Sequence, residues 1–173
     1  VTKTGMEFTK SMSNVQALSG ATADELKSLR DAASEAGANT SKNASEAADA
    51  LGYMALAGWD SAQMLEGLMP ILRASEAGSM DLATCSDLVT DSMSAMGIAV
   101  GDLQHYLDVC AKTQSSANTS MEELLEAYVD CGGILSQLNV PLETSATLLG
   151  TLANRGIKGS EAGKSLNAIL VNL

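Results

Sequence analysis

The sequence predicts an all-α fold. Ala (26 residues) and Leu (23) far outnumber Ile (5) and Val (8), and this bias favours helices because β-branched side chains lose rotamer freedom there. Only 3% of the residues are aromatic, whereas strands of sandwiches and barrels draw on β-branched and aromatic residues. With 46% apolar and 18% charged residues, the chain is unlike a disordered one. We expect about eight short helices in a compact bundle or an irregular helical array.

The first two helices of this array are placed by polar caps and glycines. Thr22 and Glu25 have the spacing of a capping box, in which two side chains satisfy free backbone amides at a helix start. The helix that follows is expected to stop at Gly37. The next helix is expected to begin near Ser41 and to end at Gly58.

The middle of the chain shows the same signals. Asp60 and Gln63 form another cap, and Pro70 lies inside the apolar pattern that follows. Because proline has no amide hydrogen to donate, a kink or a new helix start is predicted there. Gly78 is expected to end this segment and Gly97 the next one.

The remaining helices are placed in the same way, and their predicted starts or ends are Asp102, Gln114, Ser120 with Glu123, Pro141, Gly156 and Ser160. The regular spacing is compatible with a helical solenoid, but no fixed-period sequence repeat accompanies it. Residues 1–20 are polar and weakly periodic and are predicted to form an N-terminal segment with a frayed helix. Residues 21–173 are predicted to form one helical module.

The charge excludes one class of partner. The net charge is −11, and residues 74–154 carry eleven carboxylates against one lysine, Lys112. Such a surface repels phosphate, so direct nucleic-acid binding by this segment is not expected. The acidic face is either simply solvated or docks onto a basic partner.

The cysteines and the hydropathy exclude further classes. Cys85, Cys110 and Cys131 are odd in number and lack CxxC spacing, so neither a zinc site nor a disulfide framework is predicted. Each falls on the apolar stripe of a proposed helix, where free cysteine acts as a small hydrophobe. No run of 18 apolar residues occurs, so no membrane span is predicted.

No catalytic, cofactor-binding or metal-binding residue emerges. His105 is flanked by Asp102 and Asp108, but three-residue offsets in both directions spread these side chains off one helix face. The glycine-rich stretch 156–165 lacks the spacing of a phosphate-binding loop and has no preceding strand. Helix capping by Ser160 explains it better.

The chain is expected to be an excised piece of a longer protein. It begins with Val rather than Met. Apolar residues keep a helical spacing to the last position, at Leu166, Ile169, Leu170 and Leu173, without a capping glycine after them. The helical module is therefore predicted to continue beyond this C-terminus.

Five segments, taken in order, carry a resemblance to a known family. They are 44–51 with Ala57-Gly58, 69–72, 79–83, 115–120 and the final stretch Asn154-Arg155-Gly156-Ile157-Lys158-Gly159-Ser160-Glu161-Ala162-Gly163. Together they resemble the core region of phage tail tape measure proteins of the TP901 type, over about residues 12–173. The Gly-Ile-Lys-Gly-Ser segment is the most specific part of this resemblance.

The resemblance implies a non-enzymatic structural protein of a phage or prophage tail. Such proteins are made in the host cytoplasm, occupy the lumen of the tail tube and set tail length. Their implied partners are tail tube and tail assembly chaperone proteins, and self-association is left open. The long coiled-coil and membrane-spanning stretches of full-length members are expected outside this segment, and no cofactor is implied.

Two other functions remain as alternatives. One is an all-helical adaptor that binds a partner protein through an apolar helix groove. The other is a cell-wall hydrolase, for which Glu123 and Glu126 are the carboxylates to replace, although no acid–base geometry can be argued for them. Glycines interrupt the helices about every twenty residues, so we expect a compact helical module rather than an extended ruler, for which length accrues at about 1.5 Å per residue of continuous helix.

Overall fold

The computed structural model describes residues 3–172, with side chains from residue 5, and confirms the all-α prediction. In this range it has nine α-helices, one 3₁₀ turn and no strand. The α-helices are α1 (Lys3–Ser19), α2 (Ala23–Asn39), α3 (Ala44–Leu56), α4 (Ser61–Ala77), α5 (Leu82–Met96), α6 (Leu103–Ser116), α7 (Met121–Gln137), α8 (Leu142–Asn154) and α9 (Gly159–Val171). The 3₁₀ turn, Val100–Asp102, precedes α6. Leu173, which the sequence pattern assigned to the last helix, lies outside the described residues.

Capping boxes start four of the helices. The three predicted from sequence, at Thr22, Asp60 and Ser120, are confirmed. The fourth is Asn43 with Glu46 at the start of α3, so the prediction that this helix begins near Ser41 was wrong. Ser41 instead donates its amide and hydroxyl to the Glu76 carboxylate at 2.9 and 2.6 Å.

A left-handed residue follows six of the described helices, and five of these six end with the same hydrogen-bond pattern. After α3, Gly58 (φ 84°) donates to Ala55 O and Trp59 donates to Met54 O, both at 3.0 Å. This is the Schellman pattern, which satisfies free carbonyls at a helix end. The left-handed residues at these five ends are Gly58, Ser79, Gly97, Asn139 and Gly156, and the residues after them are all apolar: Trp59, Met80, Ile98, Val140 and Ile157.

The predicted helix boundaries at Gly37, Pro70 and Gly78 have different outcomes. Gly37 lies inside α2, where an added Cβ would be 2.4 Å from the Ala44 amide nitrogen, so this glycine allows close chain approach and does not end the helix. Pro70 lies within α4 and starts no new helix. The predicted end at Gly78 is confirmed, since α4 ends at Ala77 with Gly78 as its C-cap, and the left-handed residue follows one position later, at Ser79.

The first of two compact units covers Val1–Thr90. In it α1 packs on α3, and α2 packs on α3 and α4. Its fully buried side chains include Met12, Leu29, Leu51, Met54 and Ile71. The division of the chain into residues 1–20 and 21–173 stays a prediction.

The second compact unit covers Asp91–Leu173 and is built around two buried tyrosines. Here α7 packs on α9 and α6 packs on α8. The Tyr106 and Tyr128 rings meet edge to face, with centroids 5.6 Å apart. The Tyr106 hydroxyl donates to Ser92 Oγ at 2.8 Å, and the Tyr128 hydroxyl is 3.1 Å from Ser145 Oγ. Both buried phenols therefore have the partners that burial requires.

Candidate functional site

The Gly-Ile-Lys-Gly-Ser segment joins α8 to α9. Gly156 has φ 88° and Ile157 donates to Leu152 O at 3.1 Å, which completes the Schellman closure of α8. Lys158 occupies the N-cap position of α9 without a side-chain cap. The first part of the segment thus reverses the chain and directs α9 onto α7.

Two glycines of α9 let this helix approach α7 closely. An added Cβ on Gly163 would be 2.4 Å from the carbonyl oxygen of Ala127, and one on Gly159 would be 2.7 Å from Glu126 Oε2. Real Cβ atoms do not approach backbone oxygen so closely, so glycine is required at residue 163 for the observed packing. Gly159 is also left-handed, with φ 54°.

Polar contacts hold the start of α9 against α7. The Ser160 hydroxyl donates to the Asp130 carboxylate, and the Asn167 amide donates to Asp130 O at 3.2 Å. Lys158 Nζ donates to Asn118 Oδ1 at 3.1 Å and lies 3.8 Å from Glu123 Oε2. The prediction that Ser160 caps the helix was therefore wrong, because its hydroxyl faces the neighbouring helix.

Sequence reasoning missed the α7 side of this junction. It considered Glu126 as a carboxylate to replace in a test for cell-wall hydrolysis, whereas Glu126 is half-buried beside the N-terminus of α9. Carboxylates are favourable there because the first amides of a helix carry partial positive charge. The available signal was the four-residue spacing of Gly159 and Gly163, which presents a small-residue surface on one helix face.

A cavity of about 480 Å³ lies between α6 and α8. Its walls are formed mainly by small and polar side chains, including Thr113, Ala117, Ala146, Thr147 and Thr151. An added Cβ on Gly150 would be 3.2 Å from Ala117 Cβ, so this glycine sets the spacing of one end of the groove. The volume is within the range of small-molecule sites.

His105 and Glu143 form a hydrogen bond in the lining of this cavity. His105 Nε2 is 2.9 Å from Glu143 Oε1, and both side chains are 63% exposed. The Glu143 amide and then the His105 ring lower the pKa of the Glu143 carboxyl. Asp108 accepts a hydrogen bond from Gln104 instead of facing His105. Among residues 3–172, no group of three or more His, Cys, Asp or Glu side chains has the arrangement of a metal site.

All three cysteines are buried, as their places on the apolar stripes of helices predicted. Burial raises the pKa of the Cys85 thiol, and likewise that of Cys131, to about 12. Because the thiolate is the reactive form, burial disfavours nucleophilic reactions of Cys85 and Cys131 and suits their packing in the core. Within the described part of the chain, no helix is long and apolar enough to cross a membrane.

Comparison with known proteins agrees with the resemblance seen in the sequence. The family model for phage-related minor tail proteins matches residues 30–173. The chain is 32% identical over 168 residues to the tape measure protein of Pneumococcus phage Dp-1. It is 27% identical over 172 residues to a probable tape measure protein of Escherichia phage P2. No solved structure matches.

The matches cover nearly all of this chain but little of the relatives. They span 97% and 98% of this chain, yet 15% of the Dp-1 protein and 21% of the P2 protein. The predicted resemblance to tape measure proteins is thus confirmed over nearly the whole sequence. The family model covers well over half of the residues, and the chain belongs to the phage-related minor tail protein family.

Proposed function

We propose that this chain is a non-enzymatic structural segment of a phage tail tape measure protein. In the full-length protein it supports assembly of the tail tube and determination of tail length. One observation carries the proposal: the most specific family segment, from Gly156 to Gly163, is used in helix packing. Gly163 faces the backbone of α7, Gly159 faces the Glu126 side chain, and Ser160 bonds Asp130, so none of these contacts presents a reactive group to a ligand.

The proposed partners are the tail tube and tail assembly chaperone proteins. The location is the lumen of the tail tube in the virion, after synthesis in the host cytoplasm. The net charge of −11 supports contact with proteins over contact with DNA. Apolar side chains exposed on several helices, such as Leu56, Leu65 and Leu148, offer contact surface for protein partners.

Cross-linking within purified tails tests this proposal. Virions are treated with a lysine- and carboxylate-reactive cross-linker, and the tails are isolated and digested for mass spectrometry. We expect peptides of this segment in the tails, cross-linked to the tube protein. Absence of the segment from tails contradicts the proposal.

The cavity between α6 and α8 favours one alternative, an adaptor that binds a partner in a helix groove. That function predicts cross-links from Lys112, which lines the cavity, to a protein outside the tail. A third possibility, hydrolysis of the cell wall, is tested by zymography on peptidoglycan. We expect no clearing; clearing that is lost when Glu123 and Glu126 are replaced contradicts a purely structural role.

A further inference from the structure

A period of 77 residues relates the helices of the chain. The helix ends at Ser19, Asn39 and Ala77 recur 77 positions later, at Met96, Ser116 and Asn154. The helix starts at Ala44 and Leu82 recur at Met121 and Gly159. Two differences in length are internal. Helix α7 is four residues longer than α3 and α8 is four residues shorter than α4, while the 3₁₀ turn Val100–Asp102 and α6 together occupy the 17 positions that α2 spans alone. One helical turn has moved across a connection without changing the period.

The backbone at the connections follows the same period. Gly20 (φ 65°) and Gly97 (φ 70°) are 77 residues apart, and so are Ser79 (φ 53°) and Gly156 (φ 88°). The capping box of Asn43 with Glu46 recurs as Ser120 with Glu123. Left-handed residues and caps are local features set by individual side chains, so their agreement does not follow from helix length alone.

Burial is also repeated. The buried residues of α2 are Leu29, Ala33 and Ala36, and their counterparts Tyr106, Cys110 and Thr113 are buried on α6. On α3, the buried residues Ala47, Ala48, Ala50 and Leu51 correspond to Leu124, Leu125, Ala127 and Tyr128 on α7. Few of these pairs are identical, which explains why the sequence alone does not reveal the repeat.

The same interhelical contact occurs in both copies. Ser86 on α5 donates its hydroxyl to Ala50 O of α3 at 2.9 Å. The residues 77 positions later are Gly163 on α9 and Ala127 on α7, and a Cβ on Gly163 would meet Ala127 O at 2.4 Å. Helix α5 therefore crosses α3, and α9 crosses α7, at equivalent backbone carbonyls. By this register α1, α5 and α9 are equivalent first helices of a four-helix repeat.

The burial of one position near the end of α9 differs from that of its counterparts on α1 and α5. Val15 on α1 and Ser92 on α5 are fully buried, whereas their counterpart on α9, Ile169, is 52% exposed. Ser92 is covered by α6, whose Tyr106 hydroxyl bonds it, and α1 has α2 as a neighbour. Within residues 3–172 no helix follows α9. The neighbouring position, in contrast, is exposed on all three helices, at Asn14, Asp91 and Ala168.

We propose that the face of α9 around Ile169 is the docking surface for the next helix of a further 77-residue repeat. The occupant is a helix in the register of α2 and α6, supplied by the polypeptide that follows α9. It would present a large side chain where α2 has Leu29 and α6 has Tyr106. The relatives are long enough to supply further repeats, since this chain spans only 15% and 21% of them.

A second copy of this chain is a poorer occupant. Its α2 is already packed on its own α3 and α4, and its α6 on its own α8. Neither is free to cover another helix without leaving its place. A helix supplied by the polypeptide after α9 would not have to give up existing contacts. In repeat proteins each unit covers the exposed face of the one before it.

A tandem chain tests the proposal. Because α9 has the register of α5, residues 97–173 are appended after residue 173, which continues the repeat in phase. Cysteines are introduced singly as Ile169→Cys and, as the matched control, Ala168→Cys, in both the original and the tandem chain. Thiol labelling is followed site by site by mass spectrometry.

In the original chain both introduced cysteines should react at similar rates. In the tandem chain the labelling rate of the cysteine at 169 should fall at least about tenfold, because labelling then needs local opening of the new contact. The labelling rate at 168 should stay unchanged. Equal rates at 169 in the two chains overturn the proposal. Slowing at both positions overturns it too, since it indicates general shielding without the repeat register.

Two checks guard against misfolding and self-association. Ser92→Cys should be protected in both chains if the tandem chain is folded; where it is not, a shorter extension with residues 97–120 alone replaces the long one. Protection at 169 in the original chain that grows with protein concentration identifies a second copy as the occupant and overturns the proposal.

Discussion

The contact between α9 and α7 makes a quantitative prediction for Gly163→Ala. The added Cβ would lie 2.4 Å from Ala127 O and 2.8 Å from Asp130 Cβ, whereas ordinary van der Waals contact begins near 3.4 Å. Because the closest atom belongs to helix backbone, α9 must move by about 1 Å. Overpacking of this kind costs about 1–3 kcal/mol, which outweighs the gain of about 1 kcal/mol from replacing a helical glycine by alanine.

Gly133→Ala is the matched control. Gly133 lies within α7, is exposed, and has no atom within 4 Å of its ideal Cβ. The same substitution should therefore stabilise the protein by about 0.5–1 kcal/mol through helix propensity alone. Both free energies of unfolding are measured by urea titration with far-UV circular dichroism. If Gly163→Ala is as stable as Gly133→Ala, the close approach of the two helices is refuted.

Three further predictions concern the turns, the core and pH. Ser79→Gly should stabilise the chain and Gly156→Ala should destabilise it, by about 1 kcal/mol or less each, because both positions are left-handed; opposite signs in thermal unfolding contradict this. Tyr106→Phe, which removes the hydroxyl that bonds Ser92, should cost about 0.5–1.5 kcal/mol in urea titration, and an unchanged midpoint refutes the bond. Hydrogen bonds from the Ser41 hydroxyl and then its amide lower the pKa of Glu76 below 4.5. The stabilisation of the folded chain by the Glu76 carboxylate is thus complete above pH 4.5 and is lost as pH falls through the pKa in the folded state. Glu76→Gln should flatten this decline in stability, and an unchanged pH profile contradicts the hydrogen bonds from Ser41 to Glu76.

Much of the fold could be predicted from local signals. Capping boxes at Thr22, Asp60 and Ser120 were found because both partners are within three residues of each other. Helix ends were less certain, because a glycine has several uses. Gly58 closes a helix by its left-handed backbone, while Gly37 allows a helix to approach the next segment. Only the tertiary contact distinguishes the two.

The site and the repeat were less accessible to sequence reasoning. The Gly-Ile-Lys-Gly-Ser segment was found as a pattern, but its partner Asp130 lies 30 residues away and only helix packing brings it to Ser160. The repeat conserves burial and backbone conformation with few identical residues, since Leu29 corresponds to Tyr106 and Ala33 to Cys110. Pattern searches compare residue types, whereas the two copies of this repeat share which positions are buried and which are left-handed.

Deletion within the phage tests the structural role most directly. The codons for residues 30–173, the range of the family match, are removed in frame from the gene that encodes this chain, and particles are counted and measured by electron microscopy. Loss of tails, restored by supplying the intact gene, is the predicted result, since a compact helical module needed for assembly is missing. Tails of normal number and length would contradict the account. Intact tails shortened in proportion, by about 1.5 Å per deleted residue, would show instead that the segment acts as an extended ruler.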